Sequence, residues 1–263
     1  MTSCTVEPFR TTVRGLELRG TRYRPAGDGP APTAVLFHGF GGSRVETTGV
    51  FVTLARRLVA AGTGVVAFDR AGHGESDGEF FDTTVTQDVE DSRRVLDVVA
   101  ALPGVDAQDL HLVGMSLGSV VASVVAADRP AGIRSLTMWS TAAVFADEVR
   151  GGTLQGRPLD VLDGQGFFDF LGQRLGPALR EDARGWDPWA RAAGWRGPTL
   201  LLHGTDDFVP LGCARRYLDD DVLGDRAELV VVEGADHGWA QLPQRDTVVA
   251  ATVAFTTRHA RRA

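Results

Sequence analysis

Short runs of apolar, often β-branched residues alternate along this chain with longer segments whose apolar positions recur at helical spacing. Residues 33–37 read as a buried strand, and residues 50–61 as a helix with Phe51, Leu54, Ala55 and Leu58 on one face. The cycle repeats as strand 65–68, helix 84–101, strand 110–113, helix 117–127 and strand 133–139. Residues 199–202 and 229–232 supply two more strands, each followed by a helical stretch. Strands apolar on both faces and separated by helices predict an α/β fold, a mostly parallel sheet covered on both sides. Ahead of it, residues 5–24 read as an antiparallel hairpin turning at Gly15, followed by a turn-rich linker from Pro25 to Pro32.

One interval breaks the rhythm. Between Thr141 and Trp195 no strand pattern is found, yet the interval holds Phe145, Phe167, Phe168, Phe170, Leu171, Trp186, Trp189 and Trp195. Such a stretch is too apolar to be disordered and too long for a loop. It predicts a helical cap, or lid, inserted over one end of the sheet. The chain then divides into a core of residues 1–140 and 196–263 and a cap of residues 141–195.

Composition narrows the function classes. The formal charge of −7 argues against nucleic acid, whose phosphates require a basic stripe. All 27 basic residues are arginine, so chemistries built on a lysine Schiff base or a P-loop lysine are excluded. Cys4 and Cys213 form no metal-type spacing, and no metal or organic cofactor is expected. The first 24 residues carry Arg10, Arg14, Arg19, Arg22 and Arg24 without an apolar core, unlike a signal peptide. No apolar run reaches the ~18 residues of a membrane span. A cytoplasmic location is expected.

The strongest chemical signal is Gly114-Met115-Ser116-Leu117-Gly118, which directly follows a strand and opens a helix. A sharp strand-to-helix turn lifts the Ser116 hydroxyl clear of the sheet, and the flanking glycines remove clashes in the crowded backbone. A serine needs a base held in the right tautomer. Of the histidines beyond Ser116, His203 closes a strand and His259 sits in a basic terminal helix. His237 lies in a loop just past the last apolar strand, the end at which a parallel sheet presents its site, and is the candidate base. The acid is expected in the loop Gly204-Thr205-Asp206-Asp207-Phe208-Val209-Pro210. Counting from the strand end selects Asp207, and counting back from Pro210 selects Asp206. An oxyanion needs two N–H donors: Leu117, after the nucleophile, and Phe40, in the Gly-rich loop His38 to Ser43, are the candidates. Asp69 to Ser76 reads as an ion-pair and turn segment. Glu148 and Gln155, at the start of the cap, are candidates to hydrogen-bond a phenolic hydroxyl.

Across nearly its whole length the chain resembles the α/β-hydrolase family: HGFGGS, FDRAGHGESDG, GMSLGS, HGTDDFVP and EGADHGW occur in that family's order. More narrowly it is similar to the small esterases that release feruloyl and other cinnamoyl groups. That resemblance implies that the second aspartate of HGTDD, Asp207, is the triad acid, and that a cap follows residue 140. The cap is the least family-like part. The expected partner is a small-molecule ester, with a homodimer left open. The expected activity is serine carboxylic ester hydrolysis through an acyl-enzyme. An acyltransferase or thioesterase using the same triad is the alternative, and a catalytically inactive hydrolase fold used for binding is a third reading.

Overall fold

The computed structural model describes residues 4–27 and 29–261; Asp28, within the expected linker, lies outside them. The hairpin β1 (Thr5–Val13) and β2 (Leu16–Arg24) leads into β3 (Ala31–Phe37), α1 (Val50–Ala60), β4 (Gly64–Phe68), α2 (Val85–Ala100), β5 (Val105–Met115), α3 (Leu117–Asp128) and β6 (Ile133–Trp139). Then come the short elements α4 (Phe145–Arg150), β7 (Thr153–Leu154), β8 (Arg157–Pro158), α5 (Val161–Gln165), β9 (Phe168–Phe170), β10 (Gln173–Leu175), α6 (Ala178–Ala183) and α7 (Pro188–Ala192). The chain closes with β11 (Thr199–Gly204), α8 (Leu211–Arg215), β12 (Ala227–Val232) and α9 (Leu242–His259).

Eight strands form one sheet in the order β1-β2-β4-β3-β5-β6-β11-β12. From β4 to β12 every pairing is parallel, and β2 joins β4 antiparallel. Alternation along each strand sorts the core into two layers. Val35, Phe37, Val66 and Phe68 pack with α2 and α3. Ala34, Leu36, Val65 and Ala67 face α1 and α9 on the other side. The helices form where the sequence places a stripe: in α2, Val85, Val89, Ser92, Val95, Leu96 and Val99 are buried, and the Thr84 hydroxyl caps the first turn by accepting from Gln87 N–H. Helix α3 is buried all round from Leu117 to Ala126, so it sits at the centre of its layer. Among the described residues no helix is long and apolar enough to cross a membrane.

The expectation of no strand between residues 141 and 195 is corrected by two small hairpins, β7–β8 and β9–β10. Each turns through two residues at positive φ, Gln155 (50°) with Gly156 (71°) and Leu171 (52°) with Gly172 (84°). Those are the dihedrals a primed two-residue turn requires. Strands of two or three residues are too short to show a period of two, and neither turn carries Asn or Asp before its glycine, so the pattern is silent. The segment has its own apolar packing: Phe145, Leu154, Phe168, Phe170, Leu175, Leu179 and Trp186 are all buried against the α2–α3 layer.

Charge is buried beneath the loop after β3. Arg70 and Asp88, both nearly inaccessible, form an ion pair, and burial pushes the Asp88 carboxyl up to about 6 despite Arg70. Removing one member of a buried pair strands the other charge. Arg70→Met should therefore lose about 3–5 kcal/mol in urea unfolding at neutral pH. Burial already holds the folded Asp88 value above its unfolded one, so this group destabilises the fold as pH rises between the two. Without Arg70 the folded value climbs further and the window widens upward. The loss should thus be larger at about pH 8 than at about pH 5, and a loss independent of pH would refute this account of Asp88.

Candidate active site

Strand β5 ends at Met115 and α3 begins at Leu117, so Ser116 alone makes the reversal. Its backbone lies at φ 53°, ψ −122°, a conformation that L-residues rarely adopt. Hydrogen bonds hold it there: Ser116 N–H donates to the Trp139 carbonyl at 2.9 Å, and its own carbonyl accepts from Ser119 N–H at 3.1 Å and from the Ser119 hydroxyl at 2.6 Å. The turn admits no side chain on either flank. A Cβ at Gly118 would lie 2.2 Å from the Phe37 carbonyl oxygen, and one at Gly114 would lie 2.4 Å from Ser119 Cα.

His237 occupies the loop between β12 and α9. Its Nδ1 lies 2.8 Å from Asp207 Oδ1; the Asp207 side chain is wholly buried and that of His237 is 17% exposed. Asp206 turns outward and accepts from the Thr205 hydroxyl at 3.2 Å. Of the two adjacent aspartates, Asp207 meets His237. Burial works against the Asp207 charge, but the hydrogen bond and charge of His237, the nearby Ser140 hydroxyl and the Val209 N–H outweigh it and hold the carboxyl below its ordinary value. The Phe208 ring packs 4.2 Å from the His237 ring. Among the described residues no hydrogen bond joins the Ser116 hydroxyl to His237. The two are linked through Phe208, which packs on His237 and lines the same pocket as Ser116.

That pocket is walled mainly by Phe40, Leu117, Phe145, Leu154, Phe170 and Phe208, with Glu148 and Gln155 as its polar members. The Glu148 carboxylate accepts from the Gln155 N–H at 2.9 Å, which ties α4 to the first small hairpin. Apolar walls with a few convergent polar groups suit a small organic ligand. The N–H groups of Phe40 and Leu117 donate to no acceptor among the described residues. Both belong to residues that line the pocket with Ser116.

Of the other histidines, His38 and His73 pack together with ring centroids 5.1 Å apart, and His203 lies beside the acid, its Nε2 3.7 Å from Asp207 Oδ2. His38 is buried; its Nε2 accepts from Arg70 N–H at 3.0 Å and its Nδ1 lies 2.8 Å from the Gly39 carbonyl. Burial first, and then the Arg70 charge, push His38 well below its ordinary value and His73 down to about 3. Both are therefore neutral. His203 Nε2 lies 2.9 Å from the Val209 carbonyl and steadies the acid loop. Among the described residues no group of three or more His, Cys, Asp or Glu side chains is placed to hold a metal ion.

The sequence did not mark several neighbours of the site. Glu46 accepts from Gly39 N–H. Gln173, from the second small hairpin, donates to the Gly41 carbonyl at 2.9 Å. Phe170 packs 4.9 Å from Phe40. Glu46 and Gln173 are ordinary residue types in an unmarked context, and only pairing across 7 to 132 positions gives them a place, whereas Phe170 belongs to the apolar stretch the sequence did mark.

Comparison with known proteins completes the picture. The model of the alpha/beta hydrolase family matches residues 34–251. The dihydrolipoyllysine-residue acetyltransferase component of the acetoin cleaving system of Cupriavidus necator is 33% identical over 141 residues, which are 53% of this chain and 34% of that protein. The chain therefore spans about a third of the length of that relative. Among solved structures, Est1E from Butyrivibrio proteoclasticus with ferulic acid bound superimposes with a TM-score of 0.84 at 23% identity, covering 95% of this chain and 98% of that one. The alpha/beta hydrolase GrgF from Penicillium sp. sh18 gives 0.76 at 17% identity, covering 97% and 99%.

Proposed function

This chain belongs to the alpha/beta hydrolase family, and from that premise we propose that it is a serine carboxylic ester hydrolase working through an acyl-enzyme on Ser116. The observation that carries the reading is the half-buried Asp207–His237 hydrogen bond, set beside a strained Ser116 and two N–H groups without acceptors among the described residues. In this reading the Ser116 oxygen attacks the ester carbonyl while His237 Nε2 takes its proton. The oxyanion accepts from the N–H groups of Phe40 and Leu117. Collapse breaks the bond to the alkoxy oxygen, and the alcohol leaves with the proton from His237. Water then repeats the sequence on the acyl-enzyme, releasing the acid and restoring Ser116. Asp207 keeps the Nδ1 proton in place and stabilises the charged imidazole.

Residues 141–195 act as the cap of this site, because they supply Phe145, Leu154 and Phe170 to its wall. The proposed acyl group is a small one of the feruloyl or cinnamoyl kind. Its flat ring suits a pocket lined by Phe40, Phe145, Phe170 and Phe208, and Glu148 and Gln155 in the same lining are the groups proposed to meet a phenolic hydroxyl. The structural likeness to Est1E, solved with ferulic acid, supports the same class. Methyl ferulate and methyl caffeate should be turned over faster than p-nitrophenyl acetate, butyrate or octanoate. In the Glu148→Ala, Gln155→Ala double variant, kcat/KM on methyl caffeate should fall about 10-fold, in line with one or two lost hydrogen bonds to a polar substrate group. An unchanged value would remove both residues from substrate recognition.

Acyl transfer is the second reading, favoured by the acetyltransferase component that resembles half of the chain. Product analysis with a competing alcohol or amine present separates the two, since a transferase forms the new ester or amide ahead of the free acid.

A further inference from the structure

The loop after β3 is pinned at successive peptide groups by two charged side chains. Arg70 Nη2 donates to the carbonyls of His38 at 3.0 Å and Gly39 at 2.9 Å. The Glu46 carboxylate accepts from Gly39 N–H and, at 3.3 Å, from Thr47 N–H. A peptide unit is planar, so its C=O and N–H point in opposite, linked directions. The 38–39 unit is therefore held at both ends, its carbonyl by Arg70 and its N–H by Glu46. The 39–40 unit is held at its carbonyl, and its other end is the Phe40 N–H. Fixing two consecutive planes fixes where that N–H points.

The chain accepts strain to place Glu46. Glu46 itself sits at φ 59°, ψ 173°, and Thr48, two residues on, at φ 55°. Glutamate has no local reason for positive φ, and such strain persists only where the surroundings impose it. Here Arg245 of α9 holds the bend, donating to the Thr48 carbonyl at 3.3 Å and to its hydroxyl. The position is close to the site: a Cβ at Gly39 would lie 3.3 Å from both Glu46 Oε1 and Ser116 Cβ. Burial raises the Glu46 carboxyl above its ordinary value, against the pull of its two N–H donors and of the Arg70 and His237 charges. A desolvated carboxylate makes strong hydrogen bonds to the N–H groups it keeps.

We infer that Glu46 is a positioning residue of the oxyanion site, which with Arg70 fixes the Gly39 peptide so that the Phe40 N–H is preset for the developing negative charge. The inference rests on the acyl-enzyme reading of Ser116. Glu46 touches no reacting atom in this scheme; it acts through the backbone.

Presetting a donor matters in the transition state more than in the ground state. Glu46→Ala should lower kcat on the best ester by about 10- to 100-fold, below the loss seen when an oxyanion donor is removed outright, while KM stays within about 2-fold. Binding of an aryl trifluoromethyl ketone, which becomes an oxyanion on Ser116, should weaken by a similar factor. Glu46→Gln retains one oxygen to accept from Gly39 N–H and should recover much of the rate; it also carries the test if the alanine variant does not fold. Loss confined to KM, a ketone affinity unmoved while kcat falls, or no rescue by glutamine would overturn the inference. A fluorophosphonate probe separates the two layers. If the unaltered protein is labelled at Ser116 and Glu46→Ala keeps full kcat, this inference alone fails. If Ser116 is not labelled in the unaltered protein, the acyl-enzyme reading fails and takes the inference with it.

Discussion

Ser116→Ala should lower kcat/KM on the preferred ester by about 10⁴- to 10⁶-fold while leaving the thermal midpoint close to that of the unaltered protein. The hydroxyl is the only group removed, and the forces that shape the turn are elsewhere. They are the backbone bonds of Ser116 to Trp139 and Ser119 and the glycine contacts on either side. Alanine also lacks the nucleophile that no neighbour replaces, since Cys213 is buried with its thiol pushed up to about 11 by burial. Whatever rate survives should come from water attacking an ester held against the Phe40 and Leu117 N–H groups. A loss of less than about 10-fold would show that Ser116 is not the nucleophile, because a covalent route removed at its first atom leaves no smaller effect.

The second large effect is expected at Asp207. Asn is nearly isosteric, so the loop should stay folded, but Asp207 Oδ1 accepts from Val209 N–H and also faces His237 Nδ1, each at 2.8 Å, so an amide nitrogen turned to His237 gives up the Val209 bond. What changes is the proton. An amide that donates to His237 Nδ1 forces the proton onto Nε2, which then cannot take one from Ser116; it also removes the charge that stabilises the imidazolium. Asp207→Asn should cost about 10⁴-fold in kcat at neutral pH, the size of effect that a wrong histidine tautomer produces in other triads. Asp206→Asn, altering a side chain that faces Thr205 and solvent, should stay within about 2-fold of the parent, as surface changes do. Equal losses in the two variants would mean that the effect is on loop structure. A larger loss at Asp206 would require His237 to change partner during turnover.

Residues that act alone in their local context were legible first. The period of the apolar positions is set by each strand or helix for itself, so the alternation over residues 33–139 reads directly as parallel strands separated by helices. Ser116 is marked because strand, glycine, serine, glycine and helix are contiguous, and the crowding that demands both glycines is a matter of a few residues and one neighbouring strand. His237 follows from position, in the loop after the last apolar strand. Composition added exclusions that no folding could reverse, since a chain without lysine has no lysine chemistry.

Tertiary structure decided the features whose partners lie far along the chain. Counting along the loop selects Asp207 from one end and Asp206 from the other, and the resemblance favours Asp207; the docking of the β12–α9 loop against the β11 loop is what gives Asp207 the histidine and leaves Asp206 to solvent. The small hairpins at 153–158 and 168–175 are too short to carry a period and exist because their apolar sides pack on the α2–α3 layer and on Phe40. Glu46 and Gln173 show no pattern in the sequence, and Arg70 shows only its place in an ion-pair segment, yet they grip the carbonyls and N–H groups of residues 38 to 41. Backbone hydrogen bonds between distant segments have no sequence signature of their own, because every residue except proline offers the same donor and acceptor. The sequence therefore determined which residues are available for chemistry and where the sheet ends, and the packing determined which of them meet.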